Sequence, residues 1–455
     1  MKKIILTLPF LLLSTFIFSQ NDSLLKKFKF RIDKYRAINF NIAGAGYYND
    51  VETPGNTTKS HSFSTSFAAN YFTIKSTDRI LLTSSAGLSS GLNSGKNESL
   101  NSDYKNKSFS VYPEINVLNK WYNKKMFTEL GADVSALLNS AKTTQKNIPY
   151  TATFDQNAYS IAINTGIGKG RLENVTDMQN ALWLYKTFLD ENKLSRSLTP
   201  EELDELGRTI TLANNTRVLD FRRRTRFILE TVDNFFKSKN LIASNDIAYF
   251  SGLNDILFFA YNLPRLSGTE LFIRVTPALN KENRDDRYDS PNSEFERKNT
   301  IKSIRASTGI RRYIPANLTH QNNYGISAGF NYISGEMSEK QFTNGTPVFS
   351  QEMNATLKQA FLNLFFEHAI YPNTRTVVSF NLRSETGYQD FEQDSGFFGL
   401  INISGNLNYF ISYKTRLVAT AGIDYKNNVY SYYHYFVFLP ESIQLNANVG
   451  LQVSL

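Results

Sequence analysis

The 455-residue sequence contains no cysteine. That excludes a disulfide-held scaffold and any thiolate-ligated metal or iron–sulfur centre. Histidine is scarce, with four in all. His61 and His434 fall in expected outer loops, His320 in a short turn and His368 near a strand end. Set so far apart, they suggest no metal site and no Ser-His-acid triad. Outside the N-terminus no apolar run is long enough for a helical membrane span. There is no lysine-rich tail either. The formal charge of +9 is spread along the chain, which gives no case for a nucleic-acid partner. Aromatic residues, by contrast, reach 14%, too many for a disordered chain.

The N-terminus reads as a targeting segment. Lys2 and Lys3 precede an apolar run from Ile4 to Phe18, and Ser19-Gln20 leads into polar residues. A cleaved secretory signal peptide is expected over 1–20.

Most of the remaining chain alternates with period two. Ile443, Leu445, Ala447, Val449, Leu451, Val453 and Leu455 share one face, and Gln444, Asn446, Asn448, Gln452 and Ser454 share the other. Thirteen alternating residues suit a strand with lipid on one side and water on the other. Residues 397–411, 415–425 and 324–332 repeat the pattern. About fourteen strands are expected, joined alternately by long and short connections, as in barrels with long outer loops and tight periplasmic turns. The expected fold is an all-β transmembrane barrel of antiparallel strands, with a periplasmic α-helical insertion between strands six and seven. The divisions are a periplasmic N-terminal segment at 21–36, barrel at 37–170, insert at 171–266 and barrel again at 267–455.

The insert loses the two-residue period. Thr199-Pro200-Glu201-Glu202 is a helix start with a capping box. Phe221, Ile228, Leu229, Val232, Phe235 and Phe236 form an amphipathic stripe. Residues 171–266 carry 13 basic and 13 acidic side chains. Arg217, Arg222, Arg223, Arg224 and Arg226 crowd one helix, and Glu201, Glu202, Asp204 and Glu205 crowd the one before it. One reading is a helical hairpin held by opposite charges. The sharper one is an arginine patch for an anionic periplasmic protein or cell-wall partner. The glycine-rich run 166–170 lacks a phosphate-loop ending, so it is read as a sharp exit from the wall into the helices.

No catalytic residue, metal or cofactor is expected. The polar phase of the second half places Arg274, Arg305, Arg311, Arg383, Arg416, Glu367, Glu385 and Asp424 towards the lumen, among many asparagines. They form either a rigidifying internal network or a polar, mildly anion-favouring passage. Phe272 and Phe365 share that phase and warn of a partly filled lumen. Tyr48, Tyr71, Trp121, Tyr122, Tyr409 and Tyr413 are expected in interfacial girdles. The aromatic loop 430–438 is denser than a girdle needs.

Taken whole, the chain resembles outer-membrane β-barrel proteins of the Bacteroidota. The resemblance rests on the Lys-Lys signal ending in Phe18-Ser19-Gln20, the asparagine- and aromatic-rich repeats and the apolar Leu455. Such barrels commonly end in an aromatic residue, and Leu455 departs from that. The resemblance implies a cell outer-membrane location, contact with outer-membrane lipid and insertion by the barrel assembly machinery. It carries over no site residues. The expected function is a porin-like or transport role for small polar or anionic solutes, with both termini periplasmic. The rival is a non-conducting structural or interaction barrel that docks periplasmic partners through the helical insert.

Overall fold

A computed structural model describes residues 22–53, 56–99, 102–145, 150–218, 220–259, 264–289, 292–391, 394–412, 415–427, 429–432, 436–439 and 441–453. The expected signal segment and Tyr413 lie outside them.

A short helix α1 (Asp22–Lys27) precedes six strands: β1 (Ile32–Thr53), β2 (Asn56–Ser76), β3 (Ile80–Ser99), β4 (Ser102–Asn123), β5 (Met126–Gln145) and β6 (Tyr150–Asn174). Four helices follow: α2 (Thr176–Asp190), α3 (Pro200–Asn215), α4 (Phe221–Ser238) and α5 (Ile247–Phe259). The strands resume with β7 (Leu266–Asp289), β8 (Asn292–Pro315), β9 (His320–Thr343), β10 (Thr346–Asn373), β11 (Thr376–Phe391), β12 (Asp394–Phe410) and β13 (Thr415–Asn427). A small hairpin, β14 (Val429–Tyr432) and β15 (Phe436–Leu439), comes before β16 (Ser442–Val453). Fourteen strands, β1 to β13 and β16, form one antiparallel sheet in chain order. The helices interrupt it between its sixth and seventh strands. Among the described residues no pairing joins β1 to β16.

The strands are longer than the alternation suggested. Thr53 pairs with Asn56, Ser99 with Ser102, Asp289 with Asn292, Thr343 with Thr346 and Phe391 with Asp394. The expected long outer loops are therefore mostly extended hairpins with tight tips. The period-two signal fades there because both faces are polar, while backbone pairing continues. The tip at Asn344-Gly345 has φ of 52° and 75°, the left-handed pair that a two-residue turn requires. About ten residues of a tilted strand cross a bilayer, so β10, with 28 residues, extends well beyond one.

One sheet face is concave. On β7, Glu270 and Phe272 are buried at 2% and 5% exposure, while Leu271 and Ile273 stand 46% and 55% exposed. Lys120 on β4 reaches Glu270 on β7 at 2.7 Å, although three strand spacings in a flat sheet would separate them by about 14 Å. Arg31, just before β1, meets Glu173 on β6 at 2.8 Å. The sheet curls strongly at this end. The convex face is apolar: Leu382, Ile403, Ile423 and Leu445 follow one another across β11, β12, β13 and β16, and all are exposed.

The main hydrophobic core lies in the helical block. α2 is buried all round from Thr176 to Leu184. Phe188 stacks on Tyr249 within it, and Phe236 meets both rings edge-on. The N-terminal segment joins this core through Leu25, Phe28 and Phe30. Gly207 on α3 allows the close approach, since a Cβ there would press on Phe28 and Met178. Thr199 caps α3 with the reciprocal Glu202 box.

The block docks on the short-turn end of the sheet. Arg265, fully buried, donates to Gln321 Oε1 at 2.8 Å, to the carbonyl of Leu318 at 2.8 Å and to that of His320 at 2.7 Å. Asp255 on α5 accepts from Arg375 Nε at 2.9 Å in the β10–β11 turn.

The glycine run 166–170 is not an exit. β6 continues through it to Asn174. A side chain at Gly168 would overlap the Phe127 ring and the Leu271 carbonyl, so its glycine permits close packing within the wall.

Candidate functional site

The concave face of the second half holds a cavity of about 490 Å³. β8, β11 and β13 supply its charged groups: Arg311, Arg383, Glu385, Asp424 and Lys426. Ser327, Asn363 and Asn402 add neutral polar groups, and Phe272 and Phe365 form apolar wall. The alternation of each strand aims these side chains inward and their neighbours towards the convex face.

The carboxylates are held. Asp424 accepts from Asn402 at 2.6 Å and from Asn446 at 2.9 Å. Glu385 lies 3.5 Å from Arg305, and the Asn363 amide, suitably turned, bridges the two. Arg305 also lies over the Phe361 ring at 4.0 Å. Three cations, Arg311, Arg383 and Lys426, have no carboxylate partner among the described residues. Arg311 stacks on Phe272 at 5.0 Å and, like Arg383, makes no ion pair among the described residues. The cavity therefore presents positive charge against bound carboxylates, which favours a small anion or polar solute.

Four of the eight inward candidates, Arg311, Arg383, Glu385 and Asp424, thus meet around one cavity, with Arg305 joined through Glu385. The other three do not line it. Glu367 accepts from Asn323 at 2.9 Å. Arg416 sits near the start of β13, opposite Gln452. Arg274 belongs to a separate buried quartet: its Nη2 lies 3.1 Å from both Glu129 and Glu270, and Lys120 lies 2.7 Å from Glu270 and 3.5 Å from Glu129. Two cations and two anions satisfy one another, with Phe272 against Arg274 at 4.4 Å. Tyr122, Phe127 and Phe272 pack beside them. Side chains therefore fill this part of the concave face.

Sequence reasoning missed the quartet. Lys120 lay outside the expected fourth strand, although Glu270 shares the phase of Arg274 and was a usable signal. Tyr122 is not a girdle residue. It is buried at 8% exposure, facing inward, whereas its neighbour Trp121 is 42% exposed on the convex side. His320 and His368 do meet, with rings 5.5 Å apart across β9 and β10, and His368 Nδ1 lies 2.7 Å from Asn322 Oδ1. No group of three or more His, Asp or Glu side chains among the described residues is placed to hold a metal.

The arginine-rich helix also departs from its expected pairing. α3 and α4 are joined so that the N-terminus of α4 lies by the C-terminus of α3. Arg224 donates to the carbonyl of Asn214 there at 3.3 Å. The acidic start of α3 is at the other end, where Glu205 meets Lys239 at 2.7 Å and Glu202 meets Arg196 at 2.7 Å. Arg226 pairs within its own helix with Glu230 at 2.7 Å. Arg217, Arg222 and Arg223 are exposed and make no ion pair among the described residues. Among the described residues opposite charge joins the two helices through Glu205 and Lys239, not through the arginine cluster.

No protein-family profile and no curated protein matches the chain. Solved structures that overlap it include the ferric yersiniabactin uptake receptor FyuA from Yersinia pestis. That match has 7% identity, 87% of this chain, 55% of that one and a TM-score of 0.35. The chain thus spans about half the length of that receptor. The translocator domain of the autotransporter NalP from Neisseria meningitidis overlaps with 8% identity, 93% and 88% coverage and a TM-score of 0.25. The transport unit of the autotransporter AIDA-I from Escherichia coli overlaps with 9% identity, 99% and 97% coverage and a TM-score of 0.24. The functional reading rests on this chain's own residues.

Proposed function

We propose that the sheet closes into an outer-membrane β-barrel that passes small polar or anionic solutes along its second half. The carrying observation is the cavity with un-neutralised Arg311 and Arg383. Closure is supported by direction. β1 leaves the short-turn end and β16 returns to it, as Thr415 pairs with Val453, so the two free edges run antiparallel. Left open in lipid, their unpaired backbone groups would cost several kcal/mol each. The exposed stripe through Leu382, Ile403, Ile423 and Leu445 calls for lipid contact. In this arrangement the short turns, the helical block at 171–266 and both termini are periplasmic. The wall is formed by 37–170 and 267–455, with the barrel assembly machinery as the partner in insertion.

The test is conductance of the purified full chain in a planar bilayer under a salt gradient. The reversal potential is expected to show anion preference, and Arg311→Gln with Arg383→Gln to reduce it. Absence of conductance would refute the passage. A docking role for the helical block remains the second reading, favoured by the exposed Arg217, Arg222 and Arg223, which suit an acidic periplasmic protein or cell-wall polymer.

A further inference from the structure

Backbone pairing sets the order of the charged groups around the cavity. Arg383 on β11 pairs with Asn402 on β12, and Asn402 with Asp424 on β13. Two residues along each strand, on the same face, Glu385 pairs with Leu400 and Leu400 with Lys426. Two opposite charges therefore face each other across β12 at each level. Their Cα atoms are two strand spacings, or about 9.5 Å, apart. Neither pair is bridged. Arg383, Asp424 and Lys426 make no ion pair among the described residues, and Glu385 lies by Arg305 at 3.5 Å instead.

The residue between Arg383 and Asp424 serves the carboxylate. Asn402 donates to Asp424 Oδ1 at 2.6 Å, and Asn446 on β16 donates to Oδ2 at 2.9 Å. Both oxygens are oriented by neutral amides, which hold the carboxylate without cancelling its charge. On its other side Arg383 pairs with Phe365, Phe365 with Gly325 and Gly325 with Arg311. One row across β8 to β13 thus carries two arginines and, at its far end, an acid. A simple anion drawn to Arg383 meets Asp424 and Glu385 nearby. A simple cation meets Arg311, Arg383 and Lys426. A solute that carries both charges gains at both ends.

We propose that the solutes this passage selects are amino carboxylates, such as an amino acid or a short peptide, with the carboxylate towards Arg383 and the ammonium towards Asp424. The inference rests on the passage proposed above and names its substrate class. The cavity of about 490 Å³ has room for a molecule of this size. Phe365, beside Arg383 in the row, offers an apolar surface to the carbon skeleton. Arg311, beyond it, supplies a second cation, so the extra carboxylate of an acidic amino acid also finds a partner.

The test is tracer exchange in proteoliposomes that hold the full chain, preloaded with the same unlabelled solute so that no net charge moves. Radiolabelled alanine, lactate and alaninamide are compared at pH 7, each above the rate of protein-free vesicles. They are alike in size and carry both charges, the negative alone and the positive alone. Alanine is expected to exchange about fivefold faster than the other two, the factor for one partly screened charge contact. Asp424→Asn should bring alanine down to the rate of lactate and leave lactate unchanged or faster, which also shows that the variant is folded. Arg383→Gln should slow alanine and lactate together. If lactate or alaninamide matches alanine, or if Asp424→Asn slows alanine and lactate alike or neither, the substrate class is overturned and the passage stands. Absence of protein-dependent exchange for all three solutes overturns both.

Discussion

Asp177, in the first turn of α2, is fully enclosed and accepts from Thr211 at 2.8 Å and Asn214 at 2.9 Å. No cation among the described residues reaches it. Burial pushes its carboxyl up to about 6 from the ordinary 3.8, and the two hydrogen bonds only partly oppose this. Above pH 6 the carboxylate is ionised in both folded and unfolded chains, and the folded state carries the full desolvation cost. As pH falls from about 6 to 3.8, the folded chain binds a proton that the unfolded chain does not, so stability rises. A gap of about two pH units, at about 1.4 kcal/mol each, sets the gain near 3 kcal/mol. Other acids act in the opposite sense. Glu202 is held down to about 2, first by Arg196 and then by the Thr199 backbone, and loses its contribution as pH falls towards that value. The comparison with Asp177→Asn isolates the buried group. At pH 7.5 the variant should be the more stable by about 2–3 kcal/mol, and by pH 4 the advantage should vanish. Trp183 lies in α2 and is buried, so its fluorescence reports the block once Trp121 is replaced by Phe. In urea the midpoint should rise by about 1–2 M at pH 7.5 for a block of this size. Equal midpoints for the two proteins at pH 7.5, or an advantage unchanged at pH 4, would refute the reasoning.

Arg265→Met should destabilise docking of the helical block by about 3 kcal/mol or more, since it strands the Leu318 and His320 carbonyls in a buried seam. Protease cleavage near 264 that appears only in the variant would show it. Arg265→Lys should recover part of the loss, because a lysine cannot reproduce the forked contacts. Thr199→Ala should cost the helical block about 1 kcal/mol through loss of the α3 cap, seen as a lower urea midpoint of Trp183 fluorescence.

The strand count and the helical interruption were legible because they depend on local periodicity. An apolar face on one side and polar groups on the other impose alternation residue by residue, as from Ile443 to Val453. The Thr199 capping box was legible for the same reason, since its partners are three residues apart. Strand length was not. Beyond the alternating stretch, Asp285 and Glu296 pair across β7 and β8 with no apolar phase to mark them. The inward candidates were assigned a common phase, but phase does not say which of them meet. Arg274 and Arg383 look alike along the chain. Only curvature brings Lys120 and Glu129 to the first and leaves the second beside an open cavity. Tyr122 shows the same limit at single-residue scale, because one step along a strand separates an exposed ring from a buried one.

That curvature also divides the concave face into a packed part and an open part. At the short-turn end of the first half, Arg31 reaches Glu173, and Arg171 reaches Ser76 on β2. Beside them the quartet around Glu270 is charge-balanced and closed by Phe127 and Phe272. Such a packed region fixes the wall but leaves no path, since moving a solute through it would break several buried charge-assisted contacts at once. In the second half the corresponding level holds Arg311 and Arg383 without an ion pair among the described residues, around a cavity that the small side chain of Ser327 also lines. A solute crossing the sheet's interior would therefore run along β8 to β13, with the first half as its support. Filling the quartet side further should leave conductance unchanged, whereas Ser327→Phe, which projects into the cavity, should reduce it. If the quartet-side substitution Leu81→Phe blocks current and Ser327→Phe does not, the path has been placed on the wrong half.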